Sequence, residues 1–394
     1  MNKISSDKIY FNKSPLSRKL TPAVSAVLIF AKKNAVLCIA ALLALVTSFI
    51  VPPDGKYLGY FDTRTLACLF STLAVICALK EIRFFYVCAE RIIAAAKNLR
   101  IASLLLVYIT FIGSMLIAND MALITFLPLG AIVLSCTGNK KHMAYVFILQ
   151  NIAANLGGML TPFGNPQNLY LYSYFAIPGS EFVSSMFPPF ALSVALITLC
   201  CLFVPAVPLS YSGEKTALPA RRTVIYLALF AVSILSVFRG IPYLAGAGII
   251  TVFLFFIDRR ALKKVDYALL LTFVCFFIFS GNMARIDAVS DIMKSLLEKS
   301  PLSALVTSAL SCQVISNVPS AILLSKFTKT PLPILYGVNI GGCGTLISSL
   351  ASLITFKTYL SSDPKGSKKY LALFSLLNFS FLIILTVFCA FLVS

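Results

Sequence analysis

A glycine and proline cluster inside an apolar run is the feature that most limits how this chain can fold. Residues Asn151–Asn168 read N-I-A-A-N-L-G-G-M-L-T-P-F-G-N-P-Q-N within a long apolar segment. Gly157 and Gly158 withdraw side chains from a helix, and Pro162 and Pro166 withdraw backbone donors. The stretch therefore reads as a helix breaking open. Hydrocarbon offers the freed backbone no partners, so such a break needs protein or a polar cavity around it. The pattern recurs in Asn339–Ser352, N-I-G-G-C-G-T-L-I-S-S-L-A-S. Asn155, Gly157, Gly158 and Thr161 align with Asn339, Gly341, Gly342 and Thr345 at one constant offset. Paired broken helices at membrane depth are what transporters use to hold an ion or substrate.

Composition sets the environment. Of 394 residues, 59% are hydrophobic and only 12% charged, with a mean hydropathy of +0.92. A soluble domain carries roughly twice that charge. The chain reads as an all-α polytopic membrane protein in contact with the lipid bilayer. Its net charge of +19 calls for positive cytoplasmic loops rather than nucleic acid, because no soluble basic face is long enough. Eleven scattered cysteines without a C-x-x-C read as small packing residues. The single histidine, His142, sits at a predicted interfacial helix start and cannot anchor a His-based metal site. G-G-C-G at 341–344 has no soluble strand before it and no Walker lysine after it. With no Ser/His/Asp or H-E-x-x-H pattern, we expect neither an enzyme nor a cofactor or transition metal.

The order of segments suggests two related halves. Residues 1–33 read as a cytoplasmic tail and interfacial segment. The first half, 34–207, holds crossings at about 34–51 and 65–79 and an amphipathic stretch at 80–100. A hairpin at 101–135, a broken helix at 142–177 and a crossing at about 186–207 follow. Residues 208–243 form a linker and an extra crossing. The second half, 244–393, holds crossings at about 244–257 and 267–281 and an amphipathic stretch at 282–300. It ends with a hairpin at 301–328, a broken helix at 332–356 and a crossing at about 370–393. The apolar run at 101–135 would overshoot a bilayer of ~30 Å as one rod, so two arms meeting at Ala118-Asn119-Asp120 fit better. With the N-terminus inside and both hairpins re-entrant, cytoplasmic segments hold 25 of the 33 lysines and arginines and outer segments the other 8. The halves are then an inverted repeat, which permits alternating access.

Among 14 acidic residues only Asp120 falls at an apparent mid-membrane position. A lone buried carboxylate is expensive, and a proton, a metal cation or helix N-termini must neutralise it. Asp120 with Asn119 is thus expected to hold a coupling Na⁺ or H⁺; the bland alternative is an N-cap in a wet vestibule. Asn119, Thr161, Asn165, Gln167, Asn168, Ser316, Asn317, Thr345, Ser348 and Ser349 offer uncharged donors and carbonyls for a small-molecule anion. Arg285, Asp287 and Asp291 read as a solvated face, with an outer gate as the alternative.

Several stretches resemble the ion transporter superfamily of citrate and divalent-anion symporters, arsenite permeases and sodium/proton antiporters. They are F-D-T-R-T-L-A-C-L-F at 61–70, S-M-L-I-A-N-D-M-A-L at 114–123, N-L-G-G-M-L-T-P-F-G-N-P-Q-N at 155–168, I-S-N-V-P-S-A at 315–321 and the 339–352 stretch. The resemblance spans about 34–393. It implies a homodimer, substrate between two hairpin tips and two unwound helices, and an elevator-type motion. Dicarboxylate symporters carry Ser-Asn-Thr at both tips, whereas these tips are Ala118-Asn119-Asp120 and Ser316-Asn317-Val318. A-N-D and the S-L-A-S run at 349–352 are similar to the arsenite branch, and G-N-P-Q-N is nearer the citrate and antiporter relatives. The substrate class therefore stays open between carboxylate and arsenite-like oxyanion.

The combined expectation is a secondary active transporter in the cytoplasmic membrane, moving a small anion with Na⁺ or H⁺. The expected coupling-ion set is Asp120, Asn119, Asn155, Gly158, Asn317, Asn339 and Gly342, with Na⁺ at the hairpin tips. A sodium/proton antiporter using Asp120 is the runner-up. A receptor or scaffold that binds without moving its ligand is the alternative from another class.

Overall fold

The computed structural model describes residues 30–31, 34–209, 211 and 217–394. Almost all of the expected 1–33 tail, and part of the 208–222 linker, lie outside the described residues.

Eighteen α-helices follow, with no β-strand among the described residues and one isolated bridge between Asn98 and Pro208. The first half runs α1 (Ala35–Ile50), α2 (Thr63–Glu81), α3 (Phe84–Ile93), α4 (Leu99–Ile117), α5 (Asn119–Cys136), α6 (Met143–Gly157), α7 (Pro166–Tyr174) and α8 (Gly179–Leu202). An additional helix, α9 (Ala220–Val237), leads to α10 (Tyr243–Ile257), α11 (Arg259–Lys263), α12 (Tyr267–Met283) and α13 (Asp287–Leu297). The chain closes with α14 (Pro301–Ile315), α15 (Asn317–Leu324), α16 (Pro331–Ile340), α17 (Leu350–Ser362) and α18 (Ser367–Val393). Two apolar helices, a short amphipathic helix, a helical hairpin, an interrupted helix and a long last helix thus occur twice in this order, with the five-residue α11 added in the second run.

Local chemistry sets the boundaries. Asp62 caps α2 by accepting from the Thr65 N–H at 3.0 Å, and Asn98 caps α4 through the Ile101 N–H at 2.9 Å. Ser300 caps α14 through the Ser303 N–H at 3.1 Å, with Pro301 pre-set for the first helical position. The second crossing is longer than the 65–79 read from apolarity, because that cap lets polar Thr63 and Arg64 join the helix. The amphipathic stretch expected at 80–100 contracts to α3, since Arg83 turns left-handed (φ 56°) and Asn98 restarts the chain as the cap of α4. The crossing expected from 186 begins at Gly179, with Pro188 and Pro189 inside the helix.

Among the described residues seven helices are long and apolar enough to cross a membrane, or eight if α12 and α13, bent by 96°, count as one span. Large apolar side chains such as Phe49, Phe256 and Phe391 stay exposed, as hydrocarbon contact requires. The molecule is an all-α polytopic membrane protein. α1 packs on α12, and α9 and α10 pack on α2. Around the breaks, α4 packs on α6 and α14 on α16, while α5 packs on α17 and α15 on α7. Each hairpin therefore lays its first arm on its own half and its second arm on the far side of the other half's break. Small residues permit this closeness: a Cβ at Gly337 would stand 2.4 Å from the Ser308 Cβ.

Candidate cation and anion site at the helix breaks

The hairpin tips are built alike. Ala118 (φ 67°, ψ 152°) separates α4 from α5, and Ser316 (φ 73°, ψ 161°) separates α14 from α15. This region of backbone space belongs almost wholly to glycine and costs another residue about 1–3 kcal/mol. After each bend an asparagine is the first residue of the next helix and takes up the following N–H. Asn119 Oδ1 accepts from the Asp120 N–H, and Asn317 Oδ1 from the Val318 N–H, both at 2.9 Å. A threonine from each break braces the arm: Thr161 Oγ1 donates to the Met115 carbonyl at 2.8 Å and Thr345 Oγ1 to the Gln313 carbonyl at 3.1 Å. Thr161 and Thr345 thus hold the hairpins in place.

The breaks run between α6 and α7 and between α16 and α17. Buried backbone groups need partners, and side-chain amides and hydroxyls supply them. In the first break Asn168 Nδ2 donates to the carbonyls of Gly158, Met159 and Thr161 at 3.1, 3.3 and 3.4 Å. Asn165 Nδ2 donates to the Asn155 carbonyl at 3.3 Å. In the second, Gln313 Nε2 donates to the carbonyls of Gly341 and Cys343 at 2.9 and 3.1 Å, and its Oε1 accepts from the Thr345 N–H at 2.9 Å. Gln313 fills the space against Gly344, whose φ of +119° and 2.1 Å clearance from that amide leave no room for a side chain. Ser348 Oγ donates to the Gly342 carbonyl at 2.8 Å.

Asn155 joins the halves. Its Oδ1 accepts from Asn119 Nδ2 at 3.0 Å and from Ser349 Oγ at 2.8 Å, and its Nδ2 donates to the Gly342 carbonyl at 3.3 Å. Asn339 Nδ2 reaches back to Asn168 Oδ1 at 2.6 Å. The second tip is tied on through the Asn317 N–H and Ser316 Oγ, which donate to the Ser348 carbonyl at 3.0 and 3.3 Å. The residues singled out from sequence are therefore one connected set, with Gln167 apart: it is buried, and its Oε1 has no hydrogen-bond partner.

Four helices begin at this network: α5, α7, α15 and α17. Their positive dipole ends suit an anion, and the first-turn N–H groups of α15 are already bonded within the protein. Oxygens are also available for a cation. Asn165 Oδ1, Asn339 Oδ1 and Asp120 Oδ1 are enclosed without a hydrogen-bond partner. An unsatisfied buried acceptor costs about 1–3 kcal/mol. Hard oxygen donors of this kind, beside opened backbone, fit an alkali cation, and the carboxylate also fits a proton. Gly158 belongs to this cradle because a Cβ there would stand 2.5 Å from Asn165 Oδ1.

Sequence reading passed over Gln313, although a lone amide three residues before a tip in an apolar arm was visible. It also passed over Asn151, Ser352, Thr355 and Asn378. Asn151 Nδ2 donates to Ser352 Oγ at 3.3 Å and Asn378 Oδ1 at 3.5 Å, and Thr355 Oγ1 donates to Asn151 Oδ1 at 3.5 Å. These bonds join α6, α17 and α18 as interhelical glue. His142 lies in a short 3-10 turn before α6. Arg285 is neither free nor simply solvated: it makes a two-pronged ion pair with Asp54, NH1 to Oδ1 at 3.0 Å and NH2 to Oδ2 at 2.8 Å.

A family model described as citrate transporter matches residues 25–331. An uncharacterized transporter of Methanocaldococcus jannaschii is 29% identical over 351 residues, spanning 88% of this chain and 94% of that protein. The inner membrane protein YbiR of Escherichia coli is 27% identical over 318 residues, spanning 79% and 84%. Among solved structures the chain is similar to the YdaH transporter of Alcanivorax borkumensis. The TM-score is 0.53 at 12% identity, over 90% of this chain and 97% of that one, a likeness of fold.

Proposed function

The chain belongs to the citrate transporter family, and on that premise we propose that it is a secondary active transporter of a small anion or oxyanion, coupled to Na⁺ or H⁺. The observation that carries this reading is the meeting of four helix N-termini and three unpartnered oxygens on one hydrogen-bonded network. The N-termini offer an anion partial positive charge without a buried lysine or arginine, so a multiply charged substrate needs co-bound cations. Asn119, Asn165, Asn168, Asn317, Ser348 and Ser349 would contact substrate. Asp120 with Asn155, Asn339 and the carbonyls at Gly158 and Gly342 would hold the cation or proton.

Alternating access is the mechanism this arrangement supports. The similar order of elements in the two halves and the distribution of lysine and arginine both favour halves of opposite orientation, with the N-terminus inside. The inner-membrane description of YbiR favours the cytoplasmic membrane for this chain as well. A homodimer is the assembly that the family resemblance implies. A second reading, sodium/proton exchange, draws on Asp120 Oδ1, the unpartnered carboxylate oxygen at the first tip.

Purified protein should gain more thermal stability from a carboxylate or oxyanion when Na⁺ or a lower pH accompanies it, because native-state binding raises stability by mass action. Counterflow of the same labelled anion should appear in proteoliposomes. An exchanger would instead move protons against Na⁺ with no anion present, and a receptor would bind without counterflow.

A further inference from the structure

A second polar cavity, of about 340 Å³, opens where the start of α2, the end of α7 and the turn after α15 meet. Its walls include Tyr60, Asp62, Arg64, Ser173, Tyr174 and Lys326. The nine-residue α7 separates it from the first break, so it shares no residue with the site above.

Its charges are unbalanced. Arg64 and Lys326 face one carboxylate, Asp62, which is already engaged. Asp62 accepts from the Thr65 N–H and Oγ1 at 3.0 and 2.7 Å, and from Ser173 Oγ at 3.2 Å. The ion pairs among the described residues are Lys264–Glu81 and Arg285–Asp54, and neither involves this cavity. The Lys326 ammonium lies 4.5 Å from the centre of the Tyr174 ring. Its turn is pinned to α7 by the Tyr170 and Ser325 hydroxyls, 2.8 Å apart. The ammonium is half-buried and the one nearby carboxylate is already engaged, so a second anion beside it would relieve a real cost. Guanidinium and ammonium groups together suit a carboxylate or oxyanion, the former through a planar fork and the latter as a point charge. The volume lies in the ~300–1,000 Å³ range of small-molecule sites.

We infer that this cavity is a peripheral binding site for a small polyvalent oxyanion or carboxylate, held by Lys326 and Arg64 with the Tyr174 hydroxyl as a neutral donor. It differs in kind from the central site, which uses helix ends and amides and no full positive charge. The site needs no bound cation, since its positive charges are built in. Its service as a collecting point, raising the anion concentration at the mouth, rests on the transport reading above.

The test uses the full chain in neutral-lipid nanodiscs, in Na⁺-free buffer, with citrate as probe and calorimetric detection. Asn119→Ala/Asn317→Ala disables the central site, and citrate should still bind. Adding Lys326→Gln or Arg64→Gln should weaken that binding about tenfold, the size expected for a lost hydrogen bond to a charged group. Lys326→Arg should retain it, and added KCl should weaken it by screening. Unchanged affinity in both glutamine variants, or no Na⁺-independent binding by folded protein, overturns the inference. If Lys326→Gln does not give monodisperse protein, Arg64→Gln decides alone, because Arg64 is only half-buried at the start of α2. If the unsubstituted protein showed no added citrate binding with Na⁺ or at lower pH, that would instead count against the central-site reading and leave this one standing.

Discussion

The two hairpin tips share a backbone and differ in charge. Ala118 and Ser316 adopt the same strained bend, and Asn119 and Asn317 open the following helix, each accepting from the next residue's N–H at 2.9 Å. Yet the next residue is Asp120 in one and Val318 in the other, and the residue three before the bend is Met115 in one and Gln313 in the other. The common frame presents an asparagine and a helix start at the centre. The differences divide the work: the first tip carries the one carboxylate, and the second carries the amide that props open its own break. A transporter needs two-fold geometry to open to either side, but a cation or proton needs only one negative charge.

The largest expected effect is at Asn155, which bonds both the first tip and the second break. Asn155→Ala should lower uptake in proteoliposomes about a hundredfold, three buried bonds being lost. Asn339→Ala should cost about tenfold, as fewer partners depend on it. Equal losses would remove the asymmetry between the breaks. Next come the tips. Asp120→Asn should abolish the dependence of transport on Na⁺ or pH, whereas Val318→Ala should leave coupling intact and change the rate by less than about twofold. A Val318→Ala variant as damaged as Asp120→Asn would mean that charge is not what separates the tips.

Gln313→Met makes the second arm resemble the first. It strips partners from the Gly341 and Cys343 carbonyls and the Thr345 N–H, and should destabilise the protein by about 2–3 kcal/mol, read as a lower melting temperature. Met115→Leu, the mirror-side control, should cost less than about 1.5 kcal/mol. The smallest effect lies outside both tips, at the Asp54–Arg285 clasp between the α1–α2 loop and the α12–α13 bend. Arg285 holds the Asp54 carboxyl below its ordinary value of 3.8. Its contribution is therefore full above pH 3.8 and is lost as pH falls through the lowered value. Melting curves of wild type and Asp54→Asn should differ slightly at neutral pH and converge only in strong acid. A gap unchanged by acid would assign the clasp to packing alone.

Most of the fold was legible because its signals are local. Apolar length marks the crossings, and the Gly157-Gly158 and Pro162-Pro166 pairs mark the first break wherever the rest of the chain goes. Boundaries were less legible: Asp62 carries α2 past its apolar core, and the left-handed Arg83 cuts the amphipathic stretch short. In the candidate site the polar residues could be nominated one by one, but their partners could not. Thr161 and Thr345, nominated as ligands, also brace the hairpins, while Gln313, passed over, bonds the opened backbone of the second break.

By itself the sequence determined that this chain lives in a bilayer, where it must break, and that Asp120 stands alone among apolar neighbours. Those are consequences of transfer energy and backbone chemistry, which act over a few residues. Only the tertiary structure decided that Asn155 would meet Asn119, Ser349 and Gly342, and that Asn339 would meet Asn168. Such pairings depend on how the two halves dock, and docking is set by the summed fit of many apolar side chains that no short stretch contains.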